Sequence, residues 1–441
     1  MTPPRAAART VASDAGTAVA VARAVATRVA DQSVVAEAVA AEQAASTFPA
    51  SVRWRPYTIA SGWAGTALLL GAMDACWPGE GWDLAGHTHL AAACAALERL
   101  PEVNASLFGG LAGIGYAAVT LDGDRHRYRR LLSTVDGALL PKVDRAVRQL
   151  DRLHGCGVGE FDLISGLAGT GVYLLARRSE SAAADEVLGR LLGCLTRLLA
   201  DRTEPRRWHT PARLVTGQMR PAYPDGNYNC GIAHGVPGPL ALLAIAARAG
   251  LAVDGMAAAI AAAAGWLADH AMPTEFGPEW PNAVSLPPGD PTAGGAGGRT
   301  AWCYGAPGVA RALWLAGVAT GEQRYRDLAV QAMHGVLARP AARRGLDSPT
   351  FCHGIAGLLQ VTCRFAADTG SALFQSGVDA VLADLLDVYE PGSVLGYRNT
   401  EPGSVRVDSP GLLSGAPGVA LALLAAGTTV EPSWDRLFLV A

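Results

Sequence analysis

The stretch Trp302-Cys303-Tyr304-Gly305-Ala306-Pro307-Gly308 decides the fold, because its Gly-x-x-Gly core occurs seven times ahead of an apolar run. The first glycines of the seven copies are Gly62, Gly110, Gly166, Gly235, Gly305, Gly354 and Gly415. Each copy leads into an apolar run, such as Leu240-Ala241-Leu242-Leu243 or Leu358-Leu359-Gln360-Val361. A helix that is apolar nearly all round is a buried helix. Proline is tolerated in a first helical turn, where its missing N–H is not needed. Each motif is therefore read as the start of a buried helix. Glycine pairs three residues apart share a helical face, and we read them as sites where backbones approach closely. More amphipathic stretches lie between the motifs, for example 181–199 and 325–337. The intervals run from 48 to 70 residues, enough for a buried helix, an outer helix and two connections. The pattern predicts an all-α protein, an α/α toroid of seven inner and seven outer helices. An open solenoid is the competing architecture, and it would bury the inner helices less evenly.

Register then points to chemistry. The residue before the first glycine reads Ser61, Gly109, Ser165, His234, Tyr304, His353 and Ser414. One position earlier the series is Ala60, Phe108, Ile164, Ala233, Cys303, Cys352 and Leu413. Reactive side chains cluster in the fourth to sixth copies. In a toroid, equivalent helix starts face one mouth of the bore, so these residues become neighbours. Cys303, Cys352 and His353 form a donor set suited to zinc with one coordination position open. Helix N-termini favour thiolate, the metal-binding form. Asp162, four residues before Gly166, points to the same mouth, and its alternative role is a helix N-cap. Cys230 and His234 would form a chelating pair if helical, but Gly231 and Gly235 argue against a helix there.

Composition limits the alternatives. The 441 residues are 50% hydrophobic and carry a net charge of −3, which gives no general attraction to nucleic acid or anionic membrane. Eight cysteines scattered over a long chain disfavour a disulfide framework. No uninterrupted apolar run has the length of a membrane span, and no secretory signal opens the chain, so we expect a cytoplasmic protein without stable membrane insertion. Residues 1–50 are read as an N-terminal helical extension packed on the toroid, with helix from about Val11 to Ala45. Residues 51–441 form the toroid. Two long polar intervals, 202–229 and 272–298, are read as functional loops.

Three ordered segments carry a resemblance. Asn229-Cys230-Gly231-Ile232-Ala233-His234-Gly235-Val236-Pro237-Gly238, Trp302-Cys303-Tyr304-Gly305 and Phe351-Cys352-His353-Gly354 together resemble the lanthionine synthetase C family, the lanthipeptide cyclases. The resemblance spans most of residues 55–425 and matches the free-standing type. It implies a toroid with one zinc held by Cys303, Cys352 and His353. It also implies His234 as acid/base paired with Asp162, Arg299 as an active-site arginine and Tyr304 as a tyrosine beside the metal. The implied reaction adds cysteine thiols to dehydroalanine or dehydrobutyrine of a dehydrated precursor peptide, which a separate dehydratase supplies. The family often carries a small inserted subdomain, for which 115–160 and 202–228 are the candidates. Two alternatives keep the architecture: addition of glutathione to dehydrated residues in trans, and a non-catalytic peptide-binding scaffold.

Overall fold

The computed structural model describes residues 10–48, 53–123, 125–215, 217–286 and 299–441. Seven helices begin at the repeated motifs: α3 (Trp63–Cys76), α5 (Leu111–Asp122), α8 (Leu167–Arg177), α10 (Pro237–Arg248), α12 (Ala306–Thr320), α14 (Ile355–Thr369) and α16 (Ala416–Gly427). Each packs on the next, and α16 packs back on α3, so the ring is closed and the solenoid is excluded. These helices are buried around most of their circumference; α16 is buried from Ala416 to Ala426. Six outer helices alternate with them: α4 (Trp82–Leu97), α6 (Arg129–Leu150), α9 (Ala182–Ala200), α11 (Met256–Asp269), α13 (Gln323–Ala338) and α15 (Ala372–Asp387). Between α6 and α8 lies the single-turn α7 (Val158–Phe161).

The seventh outer place is taken by α1 (Ala15–Ala30), which packs on α16 and α3. The Ala12 N–H donates to Ala426 O at 3.0 Å, and a Cβ on Gly427 would meet Val19 Cγ2 at 3.0 Å. The single helix expected from Val11 to Ala45 is in fact two. Asp31 is extended, and its carboxylate accepts from the Ser33 N–H at 2.8 Å, starting α2 (Gln32–Ala45) afresh. An aspartate at this position is a strong N-cap, and here it breaks a run whose composition favours continuous helix.

The two polar intervals meet. Strands β1 (Thr210–Pro211) and β2 (Gly226–Asn229) come from the first, and β5 (Ala283–Ser285) from the second. They form one antiparallel sheet of order β1-β2-β5, with Tyr228 opposite Val284. The hairpin β3 (Met272–Thr274) with β4 (Gly277–Glu279) precedes β5. A further hairpin joins β6 (Asn399–Glu401) to β7 (Val405–Val407). The charged stretch 115–160 contains the end of α5, the amphipathic outer helix α6 and the start of α7. The Gly-rich residues of the second interval, 287–298, lie outside the described residues. Among the described residues no helix is long and apolar enough to cross a membrane.

The motif glycines serve a purpose other than helix-to-helix approach. A Cβ on Gly308 would lie 2.2 Å from Trp302 O, and one on Gly357 would lie 2.1 Å from Phe351 O. In both cases the carbonyl belongs to the residue six positions earlier, and the same step recurs at the other motifs. The loop folds back over its own helix start, and only glycine leaves room for it.

Adjacent loops are then joined around the mouth. Backbone N–H to carbonyl bonds run Cys303→Cys352 (3.2 Å), Cys352→Leu413 (2.9 Å), Leu413→Ala60 (3.1 Å), Ala60→Phe108 (3.2 Å) and Phe108→Ile164 (3.3 Å). All six residues occupy one register position, two before the first glycine. Beneath this belt the bore is filled by the chain after α16. A 3-10 helix over Ser433–Phe438 is anchored by the Arg364 guanidinium, which donates to both Asp435 oxygens at 2.6 and 2.7 Å.

Candidate active site

The mouth belt encloses a cavity of about 580 Å³. His234, Cys303, Tyr304, Cys352 and His353 line it, with Ser165 from the third motif. Asp162 lies behind that wall, 1% exposed.

Asp162 closes the loop that starts α8. Its Oδ1 accepts the backbone N–H of Ser165 at 2.7 Å and of Gly166 at 2.8 Å, satisfying two donors of the loop before the helix. Its Oδ2 lies 2.6 Å from His234 Nδ1. Asp162 is thus the partner of the histidine and a brace of the loop, not an N-cap: the N-cap of α8 is Gly166, which no side chain caps. An ionised carboxylate only accepts, so Nδ1 carries the proton and Nε2 is the nitrogen left for chemistry. The His234 side chain is 37% exposed, so the ring meets the cavity while its partner stays buried.

Cys303 and Cys352 are hydrogen-bonded to each other through their side chains. The hydrogen bond from Cys352 holds the Cys303 thiol below its ordinary pKa. Cys352 is pushed well above its own by the same bond, then by burial and the neighbouring negative charge. The two thiols therefore act on each other, and Cys303 is the one more easily ionised. Burial, and then the charge of Arg299, keep the His353 imidazole below its usual pKa and hence neutral at pH 7. Two paired thiols and a neutral imidazole are the donor types zinc takes, so the set fits the metal chemically. Among the described residues, however, no three His, Cys, Asp or Glu side chains are gathered closely enough to form a ready-made metal cluster.

Tyr304 packs beside His234, with ring centroids 6.4 Å apart. Burial raises its pKa well above the usual phenol value, so it stays a neutral O–H. Asn229 Nδ2 donates to Tyr304 Oη at 3.0 Å, leaving the phenol hydrogen free to donate elsewhere. Arg299 stands apart. It does not line the cavity; its side chain is 46% exposed and pairs with Asp347 at 3.5 Å. Its charge nonetheless reaches the thiol pair and lowers both cysteine pKa values.

Several cavity residues carry no sequence signal. Glu42, Ser46 and Phe48 come from the end of α2 and the turn after it, Glu401 from β6, and Ser409 from the loop beyond β7. Glu401 accepts from the Thr47 N–H at 2.6 Å and the Ser46 hydroxyl at 2.8 Å, fastening the N-terminal segment to the mouth. Asn229 sits within a motif, but its spacing gives it no role; its Oδ1 accepts the Gly231 N–H while its amide holds Tyr304. Cys230 is buried, its thiol donates to Tyr228 O at 3.6 Å, and it does not line the cavity that His234 faces.

Fold and site together define a class: a closed helical toroid with a histidine–carboxylate pair facing a thiol pair at one mouth. The chain belongs to the lanthionine synthetase C-like family, whose model matches residues 53–439. It is 23% identical to the nisin biosynthesis protein NisC of Lactococcus lactis subsp. lactis over 309 residues, 68% of this chain and 72% of that protein. The solved structure of a nisin cyclase superposes with a TM-score of 0.72 at 20% identity, covering 87% of this chain and 92% of the other. That likeness establishes the shared toroid fold.

Proposed function

We propose that this chain is a zinc-dependent cyclase that forms lanthionine or methyllanthionine rings in a dehydrated precursor peptide. The observation that carries the reading is the 2.6 Å bond between Asp162 and His234, on a cavity shared with the Cys303–Cys352 pair. Family membership supplies the reaction class, because the named relatives are a nisin biosynthesis protein and a nisin cyclase. The zinc would be held by Cys303, Cys352 and His353. When bound, it supplies Lewis acidity that keeps an arriving thiol ionised near neutral pH.

This chain's own residues handle the protons. His234 Nε2, held toward the cavity by Asp162, takes the proton released by the substrate cysteine. The sulfur forms a bond to the β-carbon of dehydroalanine or dehydrobutyrine, and the electrons of that double bond move toward the adjacent carbonyl. The Tyr304 hydroxyl is placed to donate to that oxygen as negative charge develops. His234 then returns its proton to the α-carbon. Nothing enters or leaves, so the ring has the mass of the open peptide. Arg299, at the rim, acts through its charge on the thiol pair. The dehydrated residues are the product of a separate dehydratase, and eight cysteines scattered through a long chain fit a reducing cytoplasm.

Metal analysis tests the reading. The purified protein should hold about one zinc per chain, and Cys303→Ala or Cys352→Ala should abolish it. A chain that takes up no zinc under any loading condition contradicts the proposal.

A further inference from the structure

The two cysteines are each preceded by a large aromatic residue, Trp302 and Phe351, and both of these are fully buried. They meet the same side chain. Phe438, in the 3-10 helix that fills the bore, stacks on Phe351 with centroids 3.8 Å apart and planes 26° apart. It also stands edge-on to Trp302 at 5.3 Å and 89°. Its carbonyl accepts the Trp302 indole N–H at 3.0 Å. Trp302 and Phe351 touch each other at 5.7 Å. The segment carrying Phe438 is held independently of the motifs. Asp435 binds Arg364, the Tyr116 hydroxyl donates to Ser433 O at 3.3 Å, and Arg311 Nε donates to Val440 O at 2.6 Å.

We infer that Phe438 is a positioning residue for the thiol pair: it clamps Trp302 and Phe351 from below and so fixes the separation of Cys303 and Cys352. The physical basis is leverage. Each cysteine is one residue from a ring that cannot move without opening a buried aromatic cluster. The backbone bond from Cys303 N to Cys352 O ties the two loops only on one side. Without Phe438 both rings gain room, and the loops are free to drift apart about that single bond. Groups supporting metal ligands from behind typically control affinity by ~10–100-fold.

The inference rests on the zinc reading for its consequence but not for its geometry, so the test has two readouts. In Phe438→Ala, zinc affinity measured by competition with a chromophoric chelator should fall about 10-fold or more. In the full chain stripped of metal by a chelator, glutathione disulfide should oxidise Cys303 and Cys352 to one intramolecular disulfide, releasing two glutathione thiols. That rate should fall in Phe438→Ala. Leu437→Ala removes an equally buried side chain of the same 3-10 helix, and it should leave both readouts near wild type. Phe438→Leu keeps most of the buried volume and should give intermediate values in a folded protein. A wild-type disulfide rate in Phe438→Ala, or equal losses in Phe438→Ala and Leu437→Ala, overturns the inference. A wild-type chain that binds no zinc yet shows the predicted ranking of disulfide rates would contradict the proposed function and leave the clamp intact.

Discussion

Asp162 serves two structures with two oxygens: one braces the loop before α8 and the other orients His234. The two duties separate by substitution. Asp162→Asn keeps an acceptor for the loop, but its amide offers His234 Nδ1 a donor where an acceptor is needed. It should lower the cyclisation rate by roughly 10²–10⁴-fold, the usual range for general acid–base catalysis, with little change in melting temperature. Asp162→Ala should lose the rate and, with two loop hydrogen bonds, about 1–3 kcal/mol of stability. Comparable rates for Asp162→Asn and wild type would remove His234 from the proton path. Gly357 makes a different residue-scale claim. A Cβ at this position would stand 2.1 Å from Phe351 O, so Gly357→Ala must push the Cys352 loop off its helix. Denaturant unfolding should show a loss of about 1–3 kcal/mol, as for other overpacked sites.

At the scale of elements, α3 and α4 are joined by a buried hydrogen bond between Thr66 Oγ1 and His89 Nδ1 at 2.8 Å. Burial pushes the His89 pKa down to about 4. The unfolded chain titrates near 6.5, so between those values it takes up a proton that the folded protein refuses. Stability therefore falls as the pH drops below about 6.5, by roughly 2 kcal/mol at pH 5. Denaturation midpoints at pH 7 and pH 5 should show this loss in wild type and a smaller one in His89→Asn. Parallel pH profiles for the two proteins would show that His89 is not its source. The N-terminal helices illustrate what a linear reading misses. Inner-then-outer alternation predicts a seventh outer helix after α16, yet α1 takes that place from the other end of the chain. Nothing in a local pattern encodes which end closes a ring. Glu42 and Ser409 reach the cavity through that closure, and no periodicity marks them.

For the whole molecule, the repeat makes the toroid legible, because seven equivalent helix starts must share one mouth. The same register puts Cys303, Cys352 and His234 on one cavity wall from the order of residues alone. It does not reveal Phe438, whose role depends on a non-repeating segment entering the bore, nor that Arg299 stands outside the cavity lining. Motif glycines are recognisable by spacing, but their reason is a carbonyl six residues back, a contact that exists only once the loop is folded. The architecture thus concentrates its chemistry at one mouth and its rigidity beneath it, with the mouth belt between.

The central claim is that this mouth closes thioether rings. The direct measurement is mass spectrometry of a dehydrated, cysteine-containing precursor peptide after treatment with a thiol-alkylating reagent, with and without the protein. The account predicts an unchanged peptide mass and loss of the alkylation adducts when the wild-type protein is present, with the adducts returning in His234→Ala. Full alkylation of every cysteine after incubation with zinc-loaded wild-type protein and its cognate dehydrated peptide would contradict it.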